Sequence, residues 1–180
     1  MSKRLIVLAV LASVSSAAAL AKDKGAEPAL SISSLDMLVG EWALSIAYAN
    51  GATATGTRIC TPALGDVYIR CDTSVTFGDD DKTARKSISY INFNSRRGVF
   101  EDVAMWQFPP AKKIMDVRGD PQSGEMSARG YIYSGEASPA RRIMETWSIN
   151  KNKITMTVKS NLVSQRADEW PVFFTETMMK

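Results

Sequence analysis

The chain of 180 residues contains no histidine. That absence excludes Ser-His-Asp and Cys-His nucleophilic catalysis. It also removes the commonest zinc ligand and any histidine-held haem, so neither a metal nor a cofactor is expected. Acid–base chemistry by paired carboxylates stays open. Cysteine is scarce too: Cys60 and Cys71 alone, with no Cys-x-x-Cys spacing for redox catalysis. A large excess of either charge is absent, with 22 Lys and Arg against 19 Asp and Glu. The net charge of +3 falls to about +1 once Lys3 and Arg4 are set aside. The basic pairs Arg96-Arg97, Lys112-Lys113 and Arg141-Arg142 lie near turn signals. They read as solvated strand ends, not as a phosphate track, so nucleic acid is not an expected partner. Asp79-Asp80-Asp81 lacks the ordered oxygen spacing of a calcium loop and reads as a solvated acidic turn.

Long hydrophobic runs are missing as well. The longest, Leu5 to Val14, follows Lys3-Arg4 and leads through small residues to Ala19-Leu20-Ala21. It is too short for a spanning helix, which takes roughly 20 apolar residues. The pattern of a basic start, an apolar stretch and a small-x-small end is that of a cleaved export signal. Residues 1–21 are therefore expected to be removed, leaving a periplasmic or extracellular chain that begins near Lys22, with no transmembrane segment. Residues 22–39 read as a polar leader and a short helical turn, with Ser33 or Ser34 as N-cap and Gly40 as the stop. Residues 40–180 form one domain, large enough for a real core.

What the domain does contain is alternation. Trp42, Leu44, Ile46 and Tyr48 recur with period two, which marks a strand. Asn50-Gly51 is a hairpin turn, Thr53 to Cys60 the next strand, and Thr61 to Asp66 another turn. Val67, Ile69, Cys71, Thr73, Val75 and Phe77 then share a face. Arg85 to Asn94 follows, its alternation broken near Tyr90-Ile91 as at a bulge. Further strands cover Gly98 to Trp106, Ile114 to Arg118, Glu125 to Tyr133, Arg142 to Ile149, Lys153 to Lys159 and Val172 to Thr177. Nine or ten short strands at regular spacing predict an all-β sandwich or barrel. Sequential strands on short turns favour an up-and-down meander, and a long meander avoids exposed edges by closing. A closed antiparallel barrel is the expectation.

In an oxidising compartment the two cysteines are expected to pair, closing a loop worth roughly 2–3 kcal/mol in the chain-entropy model. Direct pairing would put Arg58, two residues before Cys60, on the same inward face as Cys71, Ile69 and Val75. Two readings stay open for it: an inward guanidinium that grips an acidic ligand, or a side chain that reaches solvent at the barrel mouth or is flipped outward by a bulge. Glu101 and Glu145 alternate with apolar neighbours, so either is a candidate partner for an interior Arg or half of a carboxylate pair. Met105, Met115, Met126, Met144 and Met156 recur in strands and suit core filling or an adaptable cavity.

Leu38-Val39-Gly40-Glu41-Trp42, after a short helical turn and at the first strand, resembles the Gly-x-Trp signature of lipocalins and their calycin relatives. With Asp168-Glu169-Trp170 leading into the last strand, the chain is similar to small exported bacterial lipocalin-like proteins of unknown function. It lacks the Thr-Asp-Tyr motif of typical lipocalins and the histidine of nitrite- and haem-binding relatives. The resemblance implies a barrel whose interior holds a small apolar or amphipathic molecule. The expected lining is Trp42, Leu44, Ile69 and Val75, with Arg58 at the polar end. A packed barrel that engages an envelope protein is the alternative, and a carboxylate-based enzyme the third.

Overall fold

A computed structural model describes residues 30–78, 81–107, 109–135, 139–166 and 168–180, without the side chains of 81 and 82. The expected export signal and most of the leader lie outside the described residues, as do positions 79 and 80 of the acidic turn. Ten strands follow one another: β1 Gly40–Tyr48, β2 Thr53–Ala63, β3 Tyr68–Phe77, β4 Asp81–Asn94, β5 Val99–Trp106, β6 Ala111–Arg118, β7 Glu125–Tyr133, β8 Arg141–Asn150, β9 Lys153–Leu162 and β10 Val172–Met179. Each pairs antiparallel with its neighbours in sequence, and β1 pairs with β10, so the sheet closes into a barrel without edges.

The Asn50-Gly51 turn forms as read: the Tyr48 amide donates to the Ala52 carbonyl, and Gly51 takes the positive φ of 85° that glycine adopts freely. Other expectations need correction. No bulge sits at Tyr90–Ile91, where the β3–β4 register runs unbroken; the shifts fall at Val75/Phe77 and Val172/Phe174. Val67 is not on the inner face. β2 continues through Ala63 and the turn falls on Leu64–Val67, leaving Val67 56% exposed. The helical segment is a 3-10 helix, Ile32–Leu38, whose N-cap is Ser31 and not Ser33 or Ser34; the Ser31 amide donates to Ser34 Oγ. Its C-cap is Val39, and Gly40 already belongs to β1.

The inner register is set by the Cys60–Cys71 disulfide on directly paired positions of β2 and β3. Counting outward from it by twos puts Trp42 and Leu44, Ile69, Ile91, Phe100, Met115, Met126, Trp147, Ile154 and Met178 in one buried core. The 3-10 helix plugs this end with the buried Leu35 and Leu38. Trp42 Nε1–H donates to the Leu38 carbonyl (2.8 Å), which satisfies the indole while its ring fills the taper. Lys180 Nζ donates to the carbonyls of Met37 and Val39 and lies 4.6 Å over the Trp42 ring. Met115, Met126 and Met156 are core filler, whereas Met105 and Met144 lie on the outer register.

The outer face is mainly polar, with Thr55, Thr57, Arg70, Asp72, Arg118, Arg129, Thr146 and Lys159 among its strand positions. A lipid-facing barrel carries a continuous apolar band instead. Here the outer apolar row is confined to four strands, as Tyr90, Val103, Ile114 and Tyr131 pair in sequence across β4–β7.

Two strand glycines stand where neighbouring backbone leaves no room for a side chain. A Cβ on Gly130 would stand 1.9 Å from the Ile114 carbonyl oxygen, and one on Gly56 2.0 Å from that of Ser74. Backbone cannot yield there as a flexible side-chain tip would. Gly130→Ala is therefore expected to destabilise the barrel by more than about 2 kcal/mol, read as a lowered denaturant midpoint. An unchanged midpoint would contradict this packing.

Candidate functional site

The barrel interior holds more charge than an apolar core tolerates unpaired. Arg58 points inward. Its Nη1 and Nη2 donate to the two carboxylate oxygens of Glu176 on β10 (2.7 and 3.2 Å), and its Nε donates to Thr73 Oγ1 (2.9 Å). Nη1 also approaches Met178 Sδ at 3.0 Å. The guanidinium thus bridges β2 to β10 over β1, and its bidentate partner is a protein carboxylate.

A second cluster lies on the other wall. Lys113 Nζ sits 2.8 Å from both Asp102 Oδ2 and Glu145 Oε1, and all three side chains are buried. Trp147 Nε1–H donates to Glu145 Oε2 (3.0 Å). Burial alone works against the Lys113 ammonium, but the charges of Asp102 and Glu145, with their hydrogen bonds, hold its pKa above the ordinary lysine value. Lys113 is therefore not the solvated strand end that its place in a basic pair suggested; it stands on the inner register with Met115 and Val117. Glu145 is interior as alternation allowed. Glu101 is not: it faces outward, where hydrogen bonds from Asn94 and then Arg97 hold its pKa below the usual carboxylate range. Arg97 also binds Asp116.

The interior changes character along its axis. At the plugged end most inner positions are buried, with Phe93 on β4 and Ile149 on β8 half-buried against the core. Toward the other end half-burial prevails, with Thr73, Val75 and Phe77 on β3, Arg85, Ser87 and Ser89 on β4, Trp106 on β5, Gly130 and Ile132 on β7, Phe174 on β10 and Tyr48 on β1, while Ala54 on β2 and Ser160 on β9 stay buried. The rings of Phe77, Tyr48 and Phe173 form an arc along this mouth, with successive centroids 5.7 and 5.9 Å apart, and Phe174 packs 5.4 Å from Tyr48. A guanidinium lies at each end of the arc, Arg85 at 4.5 Å from the Phe77 centroid and Arg141 at 5.6 Å from that of Phe173. Burial, then the charge of Glu176, raise the Tyr48 phenol above its ordinary pKa, while Arg85 works the other way. Arg141 is a second departure from the solvated-pair reading, since it is half-buried on the inner register.

The expected lining residues thus fall on two levels. Trp42, Leu44 and Ile69 belong to the plugged core, Val75 to the half-buried wall above it, and Arg58 between them with its carboxylate already supplied. Tyr48, Phe174 and Arg141 were not read from sequence as site residues. Arg141's alternation with Ile143, Glu145 and Trp147 was the available signal. A separate recess of about 290 Å³ at this end is lined by Pro110, Ala111, Lys112, Tyr133 and Gly135.

No protein-family model matches the chain, and no curated protein matches it in sequence. Several solved structures align with it. A redesigned β-barrel, mFAP0, bound to DFHBI shares 10% identity, with 80% of this chain and 99% of that one covered at a TM-score of 0.43. EF1p2_mFAP2b bound to DFHBI shares 8%, with 84% and 99% covered at 0.48. A fluorescence-activating β-barrel designed de novo shares 10%, with 79% and 92% covered at 0.44. Overlaps of this size carry no inference about this chain's ligand.

The buried triad has a testable signature. Lys113→Met strands two buried carboxylates and is expected to cost about 3–5 kcal/mol. Because the folded pKa of Lys113 is raised, its stabilisation is fully present below the unfolded value of about 10.4 and is lost as pH climbs from there toward the folded value. Between about pH 10 and 11 the wild type should therefore lose stability with pH more steeply than Lys113→Met, as measured by urea unfolding. Parallel slopes would contradict the triad.

Proposed function

We propose that this is an exported lipocalin-like carrier that holds a small amphipathic or apolar molecule in the unplugged half of its barrel. The observation that carries the reading is the burial gradient on the inner face. The helical plug, Trp42 and the core fill one half, whereas the apolar and aromatic inner positions of the other half stay partly accessible. Half-buried rings and aliphatic side chains on a concave wall suit an apolar ligand body. Export is supported by the residue pattern of positions 1–21 and by the disulfide, which persists in oxidising compartments. In this reading Val75 lines the ligand wall and Arg58 with Glu176 forms the polar floor. Trp42, Leu44 and Ile69 support that floor from below.

A second reading, a packed barrel that engages an envelope partner, draws on the outer apolar row Tyr90, Val103, Ile114 and Tyr131. The carboxylate-enzyme reading gains nothing from Asp102 and Glu145, which share one lysine in a buried site and not in an open cleft.

Titration of the mature protein with a neutral apolar dye, N-phenyl-1-naphthylamine, tests the carrier reading. The wild type is expected to bind it. Val75→Trp, which fills the wall, should weaken binding roughly tenfold, or about 1.4 kcal/mol, with circular dichroism unchanged. A wild type that does not bind, or a variant that binds equally well, would favour the packed barrel.

A further inference from the structure

Four cations with described contacts stand on the inner register: Arg58, Lys113, Arg85 and Arg141. The first two have carboxylates at 2.7 and 2.8 Å. Arg141 differs. Its Nη1 donates to Ser160 Oγ at a long 3.5 Å, its guanidinium lies over the Phe173 ring, and no carboxylate reaches it among the described residues. Ser160 is itself buried on the adjacent strand β9. The side chain is thus drawn inward and across β9 toward β10. Its planar face is covered by a ring, and its N–H edge stands beside a hydroxyl. Stacking of a guanidinium leaves the in-plane donors available, and those donors match the two oxygens of a carboxylate. A half-buried cation without a counter-charge favours an anion that completes it.

We propose that Arg141, with Ser160 Oγ as a second donor, is the head-group site for an alkyl carboxylate whose chain lies against Phe174, Val75 and Ile132 in the half-buried part of the barrel. This rests on the carrier reading above and adds to it the charge of the ligand and the residue that recognises it. It also places the anion at the mouth and not at Arg58, whose fork is already filled by Glu176. The carboxylate enters last and stays near water, so its desolvation is partial while the chain is buried. Arg142, the next residue, takes no part: it faces outward and its Nη2 donates to the carbonyls of Leu162, Val163 and Gln165.

Decanoate and decanol, a matched acid and alcohol, test the proposal by displacement of N-phenyl-1-naphthylamine from the mature protein. The wild type should bind decanoate about tenfold or more tightly than decanol, as expected for a charge-assisted bidentate contact, and only the decanoate affinity should fall as salt is raised. Arg141→Gln should remove that preference and leave decanol within about twofold of wild type, and Arg141→Lys should restore part of it. Equal binding of decanoate and decanol by the wild type would overturn the carboxylate site while leaving the carrier reading intact. Failure of both to bind would overturn both. Should Arg141→Gln lose its fold by near-ultraviolet circular dichroism, the wild-type acid-to-alcohol ratio and its salt dependence decide the matter alone.

Discussion

Everything in this barrel depends on the pairing of its first and last strands. Ala43 to Tyr48 of β1 pair with Met179 to Phe174 of β10, and that ladder removes the two edges an open ten-strand meander would expose. The same C-terminal strand supplies the side chains that join distant parts of the chain. Glu176 accepts both arms of Arg58 across β1, Met178 enters the core, and Phe174 reaches the mouth beside Tyr48. Lys180, just beyond, ties the 3-10 plug to the strand end through two carbonyls. Loss of β10 would therefore open the wall, strand Arg58 and release the plug together.

Closure also dictates how the interior charges must be arranged. A buried guanidinium or ammonium is costly alone and tolerable only with partners in good geometry. Arg58 with Glu176, and Lys113 with Asp102 and Glu145, meet that condition with short contacts. They form a belt of paired charge within the apolar core, with Ile143 and Val158 still buried on its mouthward side, and beyond these the inner face is largely half-buried, aromatic and flanked by arginines. Plug, core with its charged belt, and mouth follow in that order along the axis. Rings and aliphatic side chains line the mouth, and already paired charges lie below them.

Much of the wall was legible because strand alternation and turn chemistry are local. Trp42 to Tyr48, the Asn50-Gly51 turn and the Val75 face could be read from neighbours alone. The Cys60–Cys71 pairing was accessible because eleven residues and one turn separate them; it made an inward Arg58 one of two open readings, and the register decides for it. What was not legible depends on strands meeting far along the chain. Glu176 lies 118 residues beyond Arg58, and Lys113 meets Glu145 over 32 residues. No local pattern announces either pair. Basic doublets misled for a physical reason: in a strand, adjacent residues face opposite ways, so Lys112 and Arg142 point out while Lys113 and Arg141 point in. Val67 failed because turn length, not side-chain period, decides where β3 begins. The Tyr90 bulge failed because Tyr90 belongs to the outer apolar row, so Tyr90-Ile91 spans both faces without a register shift.

The central claim is that this barrel is filled at one end and receptive at the other. Nuclear magnetic resonance of the mature protein, with methyl and aromatic groups labelled and decanoate titrated in, tests it most directly. Shifts should concentrate on Val75, Phe77, Trp106, Ile132 and Phe174, with Ile69, Met115, Met126 and Ile154 at the plugged end nearly still. Shifts centred on the plugged core, or confined to the outer row of Tyr90 and Tyr131, would contradict the account.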